Sequence, residues 1–544
     1  MAKHHPKWQT PGVVFQPRVY EGMKCGINKL VNAIRPTLGP IHRIVLNEKE
    51  SKIGKPELLD DGAVIARRII QLQDREEDMG AMYLRQMLWR LHETAGDGTA
   101  TAAVMFQVIF HEGVRYAIAS GNAMRLRQHL EAATKIIGEE LEKHVVRIEG
   151  KAKLAGLAET ICYDPPLAKM LGEIFDTIGE YGRLEIRSGR GRELEREYVE
   201  GMYWNGGISS REMIPDPILG RVQLENAAVL ISDLDVKEPQ DLLPILDMAV
   251  RSDFKSLLLV ADSLSERALS VLLVNREKIQ AVAVKAPALD LLTRSEALED
   301  LALLTGGRAF FQAAGDTLSS VRPADLGQAR RAWADNDNFG IVGGKGDPRR
   351  LRQHIVQLRN GFKNVDDPKD RKRLLERIGK LIGGSAVLWV GGVSPIVIET
   401  RKAMAERTAE AMRGAIREGV LPGGGTALLA CRPLLQAKMH AAADTDERMA
   451  YSILLNAIEA PIRALLENAG FNPDKTLGKV ALDCPGIGFD VIKGQVVDMK
   501  QAGIYDAASV IKAAAFSAIN GAALALTVDV LVHRKNPPTA YATT

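Results

Sequence analysis

The chain has 544 residues, which is too long for one ordinary hydrophobic core and long enough for two to four domains. Its 71 basic and 68 acidic residues nearly balance, and aromatic residues make up only 5%, so composition favours neither nucleic acid nor an anionic membrane as a partner. The four cysteines are far apart and lack CxxC spacing, which indicates a reducing compartment and argues against a zinc site. Because the first twelve residues are polar and contain no apolar segment, we expect a cytoplasmic protein.

The N-terminal region is expected to be helical, with two polar turns that contain candidate site residues. A helix over 20–34 is followed by the turn 37–40, which has a hydroxyl and a glycine. A strand over 42–47 comes next, and the adjacent acids Asp60 and Asp61 precede a further helix. The turn 37–40 is either a simple turn or a backbone contact for phosphate. The two acids are explained locally by capping of the helix that follows them.

The segment 94–104 is the strongest local indication of a nucleotide. Helices are expected over 78–93 and 99–116, and Asp97 lies between them with a glycine on each side. The unpaired amides and the positive dipole end of the second helix favour an anion, and the glycines permit close approach. A carboxylate beside phosphate makes sense if it holds a divalent metal, whereas the alternative is that Asp97 only caps the downstream turn.

The middle of the chain alternates strand and helix. Strands at 229–232, 257–261 and 279–284 enclose two apolar helices, at 239–250 and 265–276. This order predicts a βαβαβ unit with a parallel sheet, and the unit contains no GxGxxG or GxxxxGK[ST] motif. The leucines of the two helices are explained either by packing against the sheet or by exposure toward a partner.

The C-terminal part returns to helices. A helix is expected over 400–418, and the glycine-rich segment 421–428 leads into another, which is a weak phosphate signal by itself. Asp490 is expected in a loop, and Asp506 just before the last long helix. The longest apolar run, about 513–532, is alanine-rich and interrupted by polar residues, which favours a buried core helix over a membrane span.

Taken together, these segments resemble the group I chaperonins, the bacterial GroEL type. The resemblance runs in order from about residue 20 to 533, and the ordered set of motifs is hard to obtain by chance, although each motif alone is weak. The most specific matches are 37–40 (TLGP), 61–62 (DG), 95–99 (AGDGT), 284–287 (VKAP), 304–307 (LTGG), 325–328 (DLGQ), 380–384 (KLIGG), 423–425 (GGG) and Asp506.

The resemblance implies an α+β multidomain chaperonin fold. It comprises a mostly helical equatorial domain, a small intermediate domain and an α/β apical domain. The equatorial domain would combine 1–143 with 419–544, the intermediate domain 144–200 with 384–418, and the apical domain would be 201–383.

The resemblance also implies a site for ATP and Mg²⁺, and it leaves room for K⁺. Asp97 would bind the magnesium ion, Asp61 would lie near the γ-phosphate, and Asp506 would accept from the ribose hydroxyls. Asp490 stands where the family usually has asparagine, which puts its contact with the base in question. The residues implied around the nucleotide are Thr37, Leu38, Gly39, Pro40, Asp97, Gly98, Thr99, Ala100, Thr101, Gly424, Asp490 and Asp506.

One departure from the family bears on catalysis. Where the family has the aspartate that orients the attacking water, this chain has Arg407, with Glu406 beside it. A guanidinium cannot accept a proton, but it can hold a phosphate oxygen with two donors. We therefore expect ATP binding with slow hydrolysis, and Asp61 and Glu406 are the remaining carboxylates that could serve the water. Adjacent helical side chains point about 100° apart, so Glu406 is not an automatic substitute.

The surface with which the family binds non-native polypeptides is partly retained. Its segment around Ile208 and Met213 has lost the family's aromatic residues. Glu212 makes this segment less apolar than in the family, so we expect narrower or weaker capture. The expected client-binding residues are Leu243, Leu246, Leu269, Leu273, Val274, Ile208 and Met213.

The resemblance predicts an ATP-dependent protein that assembles from its own copies into one ring or two, binds non-native polypeptides and assists their folding. The resemblance leaves open whether a lid co-chaperonin binds, and neither nucleic acid nor a membrane is an expected partner. Two alternatives stay open at this point. A divergent paralogue would bind nucleotide with little hydrolysis and act as an assembly or binding scaffold. A small-molecule phosphohydrolase would use Asp60, Asp61 and Asp97 as metal ligands, but it leaves residues 201–383 unexplained.

Overall fold

The structure is a computed structural model that separates the chain into two compact units. Unit 1 contains Met1–Asp176, Ser188–Leu194 and Val390–Thr544, and unit 2 contains Thr177–Arg187 and Glu195–Trp389. The residues that the structure describes are 12–41, 43–48, 56–119, 121–179, 182–189, 191–199, 202–215, 220–252, 254–288, 290–365, 367–382, 385–480 and 486–533.

The helices are numbered in chain order. They are α1 Arg18–Ile34, α2 Gly62–Arg68, α3 Arg75–Ala95, α4 Thr99–Ile118, α5 Ala123–Lys143, α6 Lys151–Cys162, α7 Pro165–Ile178, α8 Pro239–Arg251, α9 Glu266–Val274, α10 Leu291–Thr305, α11 Pro348–Asn364, α12 Pro368–Ile382, α13 Pro395–Glu418, α14 Thr426–Leu429, α15 Arg432–Ala441, α16 Thr445–Asn468, α17 Pro473–Leu477 and α18 Ala508–Ala525.

The strands are numbered in the same way. They are β1 Gly12–Phe15, β2 Val45–Asn47, β3 Glu57–Leu59, β4 Arg183–Ser188, β5 Glu195–Val199, β6 Met202–Asn205, β7 Arg221–Ser232, β8 Asp235–Val236, β9 Ser256–Ala261, β10 Ser263–Leu264, β11 Gln280–Lys285, β12 Ala309–Phe310, β13 Gly327–Asp335, β14 Asn338–Gly344, β15 Ser385–Val390, β16 Val420–Pro422, β17 Ile487–Asp490, β18 Gln495–Asp498, β19 Tyr505–Ala507 and β20 Val530–His533.

Several helix starts follow from side-chain capping that the sequence encodes. Asp74, Asn122 and Asp444 precede α3, α5 and α16, and each accepts hydrogen bonds from first-turn amides. Helix α13 begins with Pro395 after Ser394, whose hydroxyl accepts from a first-turn amide. These caps satisfy backbone donors that would otherwise lack partners inside the helix.

Helices α1 and α3 cross so closely that glycine is required at the contact. A Cβ atom on Gly26 would lie 1.8 Å from the carbonyl oxygen of Glu77, and one on Gly80 would lie 2.5 Å from the carbonyl oxygen of Met23. The crossing fixes the course of α3, whose last residue, Ala95, leads directly into the turn that contains Asp97.

Helix α4 lies at the centre of unit 1, packed against α1, α16 and α18. Its Phe106 and Phe110 are fully buried, and their rings stack with centroids 6.1 Å apart. Among the described residues, α16 and α18 are long and apolar enough to cross a membrane, but 61% and 56% of their apolar windows are buried inside the structure. Both pack on α4 and α5, as expected for core helices.

Unit 2 is built around one mixed sheet with the strand order β11-β9-β7-β13-β14-β6, to which β12 adds by pairing with β7. Strands β7, β9 and β11 are parallel, whereas β13, β14 and β6 continue the sheet with antiparallel pairs. Helices α8 and α9 connect the parallel strands, which agrees with the predicted βαβαβ order. The parallel strands are almost completely buried, as expected for a sheet covered on both faces.

The α+β multidomain architecture agrees with the expected fold class. Unit 2 contains the range expected for the apical domain, but it also contains 177–187, 195–200 and 384–389, which were expected in the intermediate domain. The division into three domains stays a prediction. The strand expected over 42–47 is shorter, Val45–Asn47, and His42 lies outside the described residues.

Candidate functional site

A cleft of about 680 Å³ in unit 1 brings together residues that are far apart in the sequence. Asp60, Asp61 and Arg407 line this cleft, with Thr160 and Tyr163 from the end of α6. Every residue that the family resemblance placed around a nucleotide also lines it, namely Thr37, Leu38, Gly39, Pro40, Asp97, Gly98, Thr99, Ala100, Thr101, Gly424, Asp490 and Asp506.

The turn between α3 and α4 depends on two glycines in the left-handed region. Gly96 has φ +72° and Gly98 has φ +84°, and a Cβ atom on Gly98 would lie 2.8 Å from Val510 of α18. Gly98 is the N-cap of α4, and no side chain caps that helix. The first amides of α4 are therefore not satisfied by a capping side chain and can donate to an anion. This favours an anion site over the interpretation in which Asp97 only caps the turn.

Asp97 lies deep in the cleft beside this helix start. Its Oδ1 accepts a hydrogen bond from the amide of Gly98 at 2.6 Å. Burial raises the pKa of Asp97 and the charge of Asp61 adds to this effect, while the Gly98 amide and Arg407 oppose it. A buried carboxylate that is costly to ionise is a suitable ligand for an added cation.

Arg407 of α13 reaches into the cleft and joins two carboxylates. Its Nη1 donates to Oδ2 of Asp61 at 2.9 Å, and its Nη2 donates to Oδ2 of Asp60 at 3.1 Å. Although burial acts to lower it, the charges of Asp60 and Asp61 raise the pKa of the guanidinium, so the group stays protonated. Asp61 also caps α2, since its Oδ1 accepts from the amide of Val64 at 2.8 Å.

Glu406 is not brought into the cleft. Its side chain is 56% exposed and lies 3.9 Å from Lys402 on the preceding turn of α13. This follows from helix geometry, because one residue along a helix rotates the side chain by about 100°. Of the carboxylates considered for water orientation, Asp61 lines the cleft, but one of its oxygens caps α2 and the other accepts from Arg407.

Asp506 and Asp490 lie in different electrostatic surroundings. Burial, then the charge of Asp97, raise the pKa of Asp506 to about 7, and a hydrogen bond from the Gly425 amide opposes this rise. Asp490 is the last residue of β17, not a loop residue, and its Oδ1 accepts from the amides of Ile492 and Lys493 at 3.0 and 3.1 Å. The carboxylate of Asp490 thus stabilises its own turn, which leaves it less free to contact a base.

The turn 37–40 is held from outside by α16. The side-chain amide of Asn468 donates to the carbonyl oxygens of Arg35 and Leu38 at 2.8 Å each. Gly39 adopts φ +98°, which only glycine accommodates without strain. The turn is therefore a fixed wall of the cleft.

Sequence reasoning missed the contribution of α6. Thr160 donates from its hydroxyl to the carbonyl oxygen of Tyr505, next to Asp506, at 2.8 Å. Tyr163 ends α6 in the left-handed region at φ +51°, and desolvation, then the charges of Asp97 and Asp506, raise the pKa of its hydroxyl. Neither residue belongs to a glycine-rich or acidic motif, so only the helix end that reaches the cleft reveals them.

The residues present fit one metal ion bound together with a ligand. Within the described part of the chain, no group of three or more His, Cys, Asp or Glu side chains is arranged to hold a metal. A magnesium ion commonly takes one or two protein carboxylates and completes its shell with phosphate oxygens and water, which Asp97 alone would allow. The phosphohydrolase alternative is disfavoured, because Asp60 and Asp61 share Arg407 instead of facing a metal.

Unit 2 places the expected client-binding residues in two groups. Leu243 of α8 is 50% exposed and Val274 at the end of α9 is 80% exposed, while Leu269 and Leu273 are half-buried. The remaining three, Leu246, Ile208 and Met213, are buried in the core of unit 2, so they contact their own chain and offer little area to a client. The accessible part of the expected surface is therefore narrower than the sequence suggested.

Comparison with known proteins accounts for this combination of elements. The model of a family described as TCP-1/cpn60 chaperonin family matches residues 30–536. The chain belongs to this chaperonin family. Its function is accordingly chaperonin-like assistance of protein folding, and the scaffold alternative is not favoured.

Two crystal forms of one phage chaperonin share the fold. The chaperonin gp146 from bacteriophage EL 2 (Pseudomonas aeruginosa), in the presence of ATP-BeFx, is 18% identical to this chaperonin. Crystal form I matches with a TM-score of 0.69 over 96% of this chain and 98% of that chain, and form II with 0.62 over 96% and 99%. At this identity the likeness shows the fold alone, and it confirms the chaperonin architecture.

The raised pKa of Asp506 predicts how the stability of the nucleotide-free chaperonin depends on pH. The folded pKa is about 7, whereas an exposed aspartate has a pKa near 3.9. The folded state then holds a proton that the unfolded state has lost, so the stability present near pH 4 decreases as pH rises toward about 7. We expect Asp506→Asn to flatten the fall in melting temperature between pH 5 and pH 7.5, measured by scanning fluorimetry.

The matched control for this prediction is Asp176→Asn, which changes an exposed carboxylate of the same unit. It should leave the pH profile unchanged. A profile of Asp506→Asn that runs parallel to that of the wild type would contradict the prediction.

Proposed function

We propose that this chaperonin binds ATP with Mg²⁺ in the cleft of unit 1 and hydrolyses it slowly. The observation that carries the proposal is the position of Arg407, inside a cleft that otherwise has the donors and carboxylates of a nucleotide site. The presence of ATP-BeFx with the phage chaperonin of the same fold supports the choice of nucleotide.

The chain's own residues would divide the work of binding. The amides at the start of α4 and the hydroxyls of Thr99 and Thr101 would donate to phosphate oxygens, and Asp97 would bind Mg²⁺. When bound, the metal would neutralise phosphate charge. Asp506 would accept from the ribose hydroxyls, and the turn 37–40 would close the base side of the cleft.

Slow hydrolysis follows from the protonation chemistry around Arg407. A guanidinium cannot take a proton from water, and Asp61 is occupied by the α2 amide and by Arg407 itself. A positioned general base typically contributes about 10²–10⁴-fold, so its loss leaves binding and much of the electrostatic stabilisation while the rate falls. Arg407 can instead donate to a phosphate oxygen, which favours ATP over ADP in the resting site.

We expect Arg407→Asp to raise the single-turnover rate of ATP hydrolysis by about tenfold or more, because it installs a carboxylate where the family has one. Arg407→Ala separates loss of the arginine from gain of the carboxylate and should give a smaller increase. Asp97→Ala is the reference that should lose Mg²⁺-dependent ATP binding, measured by calorimetry.

The control on the same helix is Lys402→Asp, which changes charge equally outside the cleft. It should leave the rate unchanged. A fast wild-type rate that Arg407→Asp does not alter would show that another residue serves the water.

Clients would bind at the exposed apolar positions of α8 and α9. Full burial of one such side chain contributes roughly 1.5–3 kcal/mol, so a few contacts suffice for weak and promiscuous capture. The two helices contact each other, and this supports the proposal that their exposed apolar residues act together on one client.

We expect the double variant Leu243→Ser/Val274→Ser to lose most of its suppression of aggregation of a denatured client, measured by light scattering. The matched control is Leu291→Ser/Leu292→Ser, which changes two exposed leucines at the start of α10. An equal loss in the control would place client binding elsewhere.

Assembly into a homo-oligomeric ring is proposed from two small sheets of unit 1. Strands β1 and β20 pair antiparallel, and one face of the pair exposes Val13, Phe15, Val530 and Val532. The hairpin of β2 and β3 exposes Leu46 opposite Leu58. Two-stranded sheets with apolar exposed faces and open edges need a partner, and neighbouring copies of the chain would supply it.

We expect Phe15→Asp/Leu46→Asp to shift the assembled protein to monomers in sedimentation velocity at micromolar concentration, because each change buries a charge in the contact. Ile118→Asp, at an equally exposed apolar position at the end of α4, is the control. A wild-type chain that sediments as a stable monomer would refute the ring. The lid co-chaperonin and K⁺ stay predictions from the family resemblance, and the cytoplasmic location stays a prediction from the polar N-terminal residues.

A further inference from the structure

Positive charge is concentrated in one helical hairpin of unit 2. Helix α11 has five basic residues and no acidic one, and the hairpin of α11 and α12, residues 348–382, has eleven basic against four acidic residues. This gives the hairpin a net charge of +7, while the whole chain carries only +3. The rest of the chain is therefore net negative, and the hairpin of α11 and α12 is a cationic region.

Part of this charge has a structural role toward the core of unit 2. Arg377 of α12 donates two hydrogen bonds of 2.9 Å to the buried carboxylate of Asp300 on α10, and His354 of α11 contacts the same carboxylate at 2.8 Å. Arg371 lies over the ring of Phe362 at 4.8 Å. The contacts of Arg377 and His354 hold the hairpin to α10, and the contact of Arg371 holds α12 to α11.

The outward-facing cations of α11 are not explained in this way. Arg349, Arg352 and Lys363 are exposed, and no ion pair is formed by any of them within the described residues. Arg352 lies three residues after Arg349, and Lys363 lies fourteen residues after it, both close to whole helical turns. The three side chains therefore share one face of α11 over about 21 Å. We call these three residues the basic stripe.

The face of the basic stripe also has an apolar contact point. Val356 lies seven residues after Arg349, close to two turns, and is 53% exposed between the cations. The aromatic residue of α11, Phe362, is on the opposite side and is buried with Leu358, Ile378 and Leu381. The face thus combines cations and one aliphatic side chain without an aromatic surface.

We propose that the basic stripe of α11 binds an acidic polypeptide segment, with carboxylates on its cations and an apolar side chain against Val356. The proposal deepens the proposed client binding, on which it rests, by naming clients with acidic, apolar-containing segments. Guanidinium groups bind carboxylates through paired hydrogen bonds, and repulsion between like charges disfavours basic segments. The charge complementarity of an unpaired cationic face is what selects this occupant.

A nucleic acid fits the same face less well. Single strands are bound mainly through bases stacked on aromatic side chains, and this face has none exposed. Duplex binding usually rests on about 6–10 phosphate contacts, whereas the basic stripe offers three cations on one helix face. Val356 at its centre would meet a charged backbone, whereas a polypeptide can place an apolar side chain there.

The test measures fluorescence anisotropy of labelled poly-L-glutamate of about 20 residues with the full chain, long enough to exceed the stripe when extended. We expect binding at about 50 mM salt and its loss at about 1 M, where the Debye length is near 3 Å. The triple variant Arg349→Glu/Arg352→Glu/Lys363→Glu should weaken binding by about tenfold or more, since it replaces three attractions by repulsions. Poly-L-lysine of equal length should not bind the wild type.

Two further variants make the result interpretable. Lys255→Glu/Arg276→Glu/Lys278→Glu changes three exposed cations of unit 2 by the same net charge and should weaken binding by less than about threefold. The neutral triple Arg349→Gln/Arg352→Gln/Lys363→Gln should lie between wild type and the reversed triple. Unchanged melting temperatures would show that each variant folds. We expect this because no variant changes Arg377 or His354, which contact Asp300 of α10.

The outcomes separate binding at the basic stripe from the proposed client binding at α8 and α9. Equal losses in both reversed triples, or poly-L-glutamate binding that does not respond to salt, would overturn the basic stripe as a site. Tighter binding of a 20-nucleotide oligothymidylate that is lost in the stripe variant would overturn the polypeptide in favour of nucleic acid. Leu243→Ser/Val274→Ser should keep poly-L-glutamate binding, so failure of the α8–α9 surface is distinguishable from failure of the basic stripe.

Discussion

The crowding of negative charge in one desolvated cleft is the constraint on which the site of unit 1 depends. Asp60, Asp61, Asp97 and Asp506 line the same space, and burial makes each unpaired carboxylate expensive. Arg407 relieves Asp60 and Asp61 directly, whereas burial raises the pKa of Asp97 and of Asp506 and so makes these two carboxylates costly to ionise. An internal cation therefore balances two of the four carboxylates, and the other two remain costly to ionise.

This balance explains why a metal and a phosphate would enter together. A free phosphate would add charge to a site that already has too much, and a free cation would leave the amides of α4 without an anion. Under the proposed function, a metal–phosphate complex would satisfy both, with Asp97 holding the metal and the first amides of α4 donating to the phosphate oxygens. Because the cation would favour the ionised forms of Asp97 and Asp506, uptake of the complex and release of protons would be coupled.

The residues of the cleft differ in how well the sequence reveals them. Gly96, Asp97 and Gly98 were predictable because glycine, a carboxylate and a helix start have a combined physical meaning at adjacent positions. The contact of Arg407 with Asp60 and Asp61 was not, because it joins α13 to the residues just before α2 across more than 300 residues of sequence. A motif reports local geometry, whereas an ion pair between distant helices requires the assembled core.

The same limit applies to the apolar residues of unit 2, although a signal was present there. In α8 the buried positions Leu242, Ile245, Leu246 and Ala249 follow the spacing of one helix face, and Leu243 falls outside it. That spacing places Leu246 in the core and Leu243 at the surface. Ile208 and Met213 lack such a pattern, since they lie in an irregular segment whose burial is set by β11, which each of them contacts.

The packing of α4 has a consequence for how this chaperonin is made. Its apolar residues, among them Phe106, Ile109 and Phe110, are covered by α16 and α18, which are encoded more than 300 residues later. At synthesis rates of about 5–20 residues per second, roughly 20–80 seconds pass on the ribosome before both of those helices exist. The sheet of unit 2 is complete well before then, because its strands lie between residues 202 and 344. During synthesis, the nascent chain therefore has a complete sheet in unit 2 while the apolar residues of α4 lack their partner helices. At that stage this chaperonin exposes the kind of apolar surface that chaperones bind.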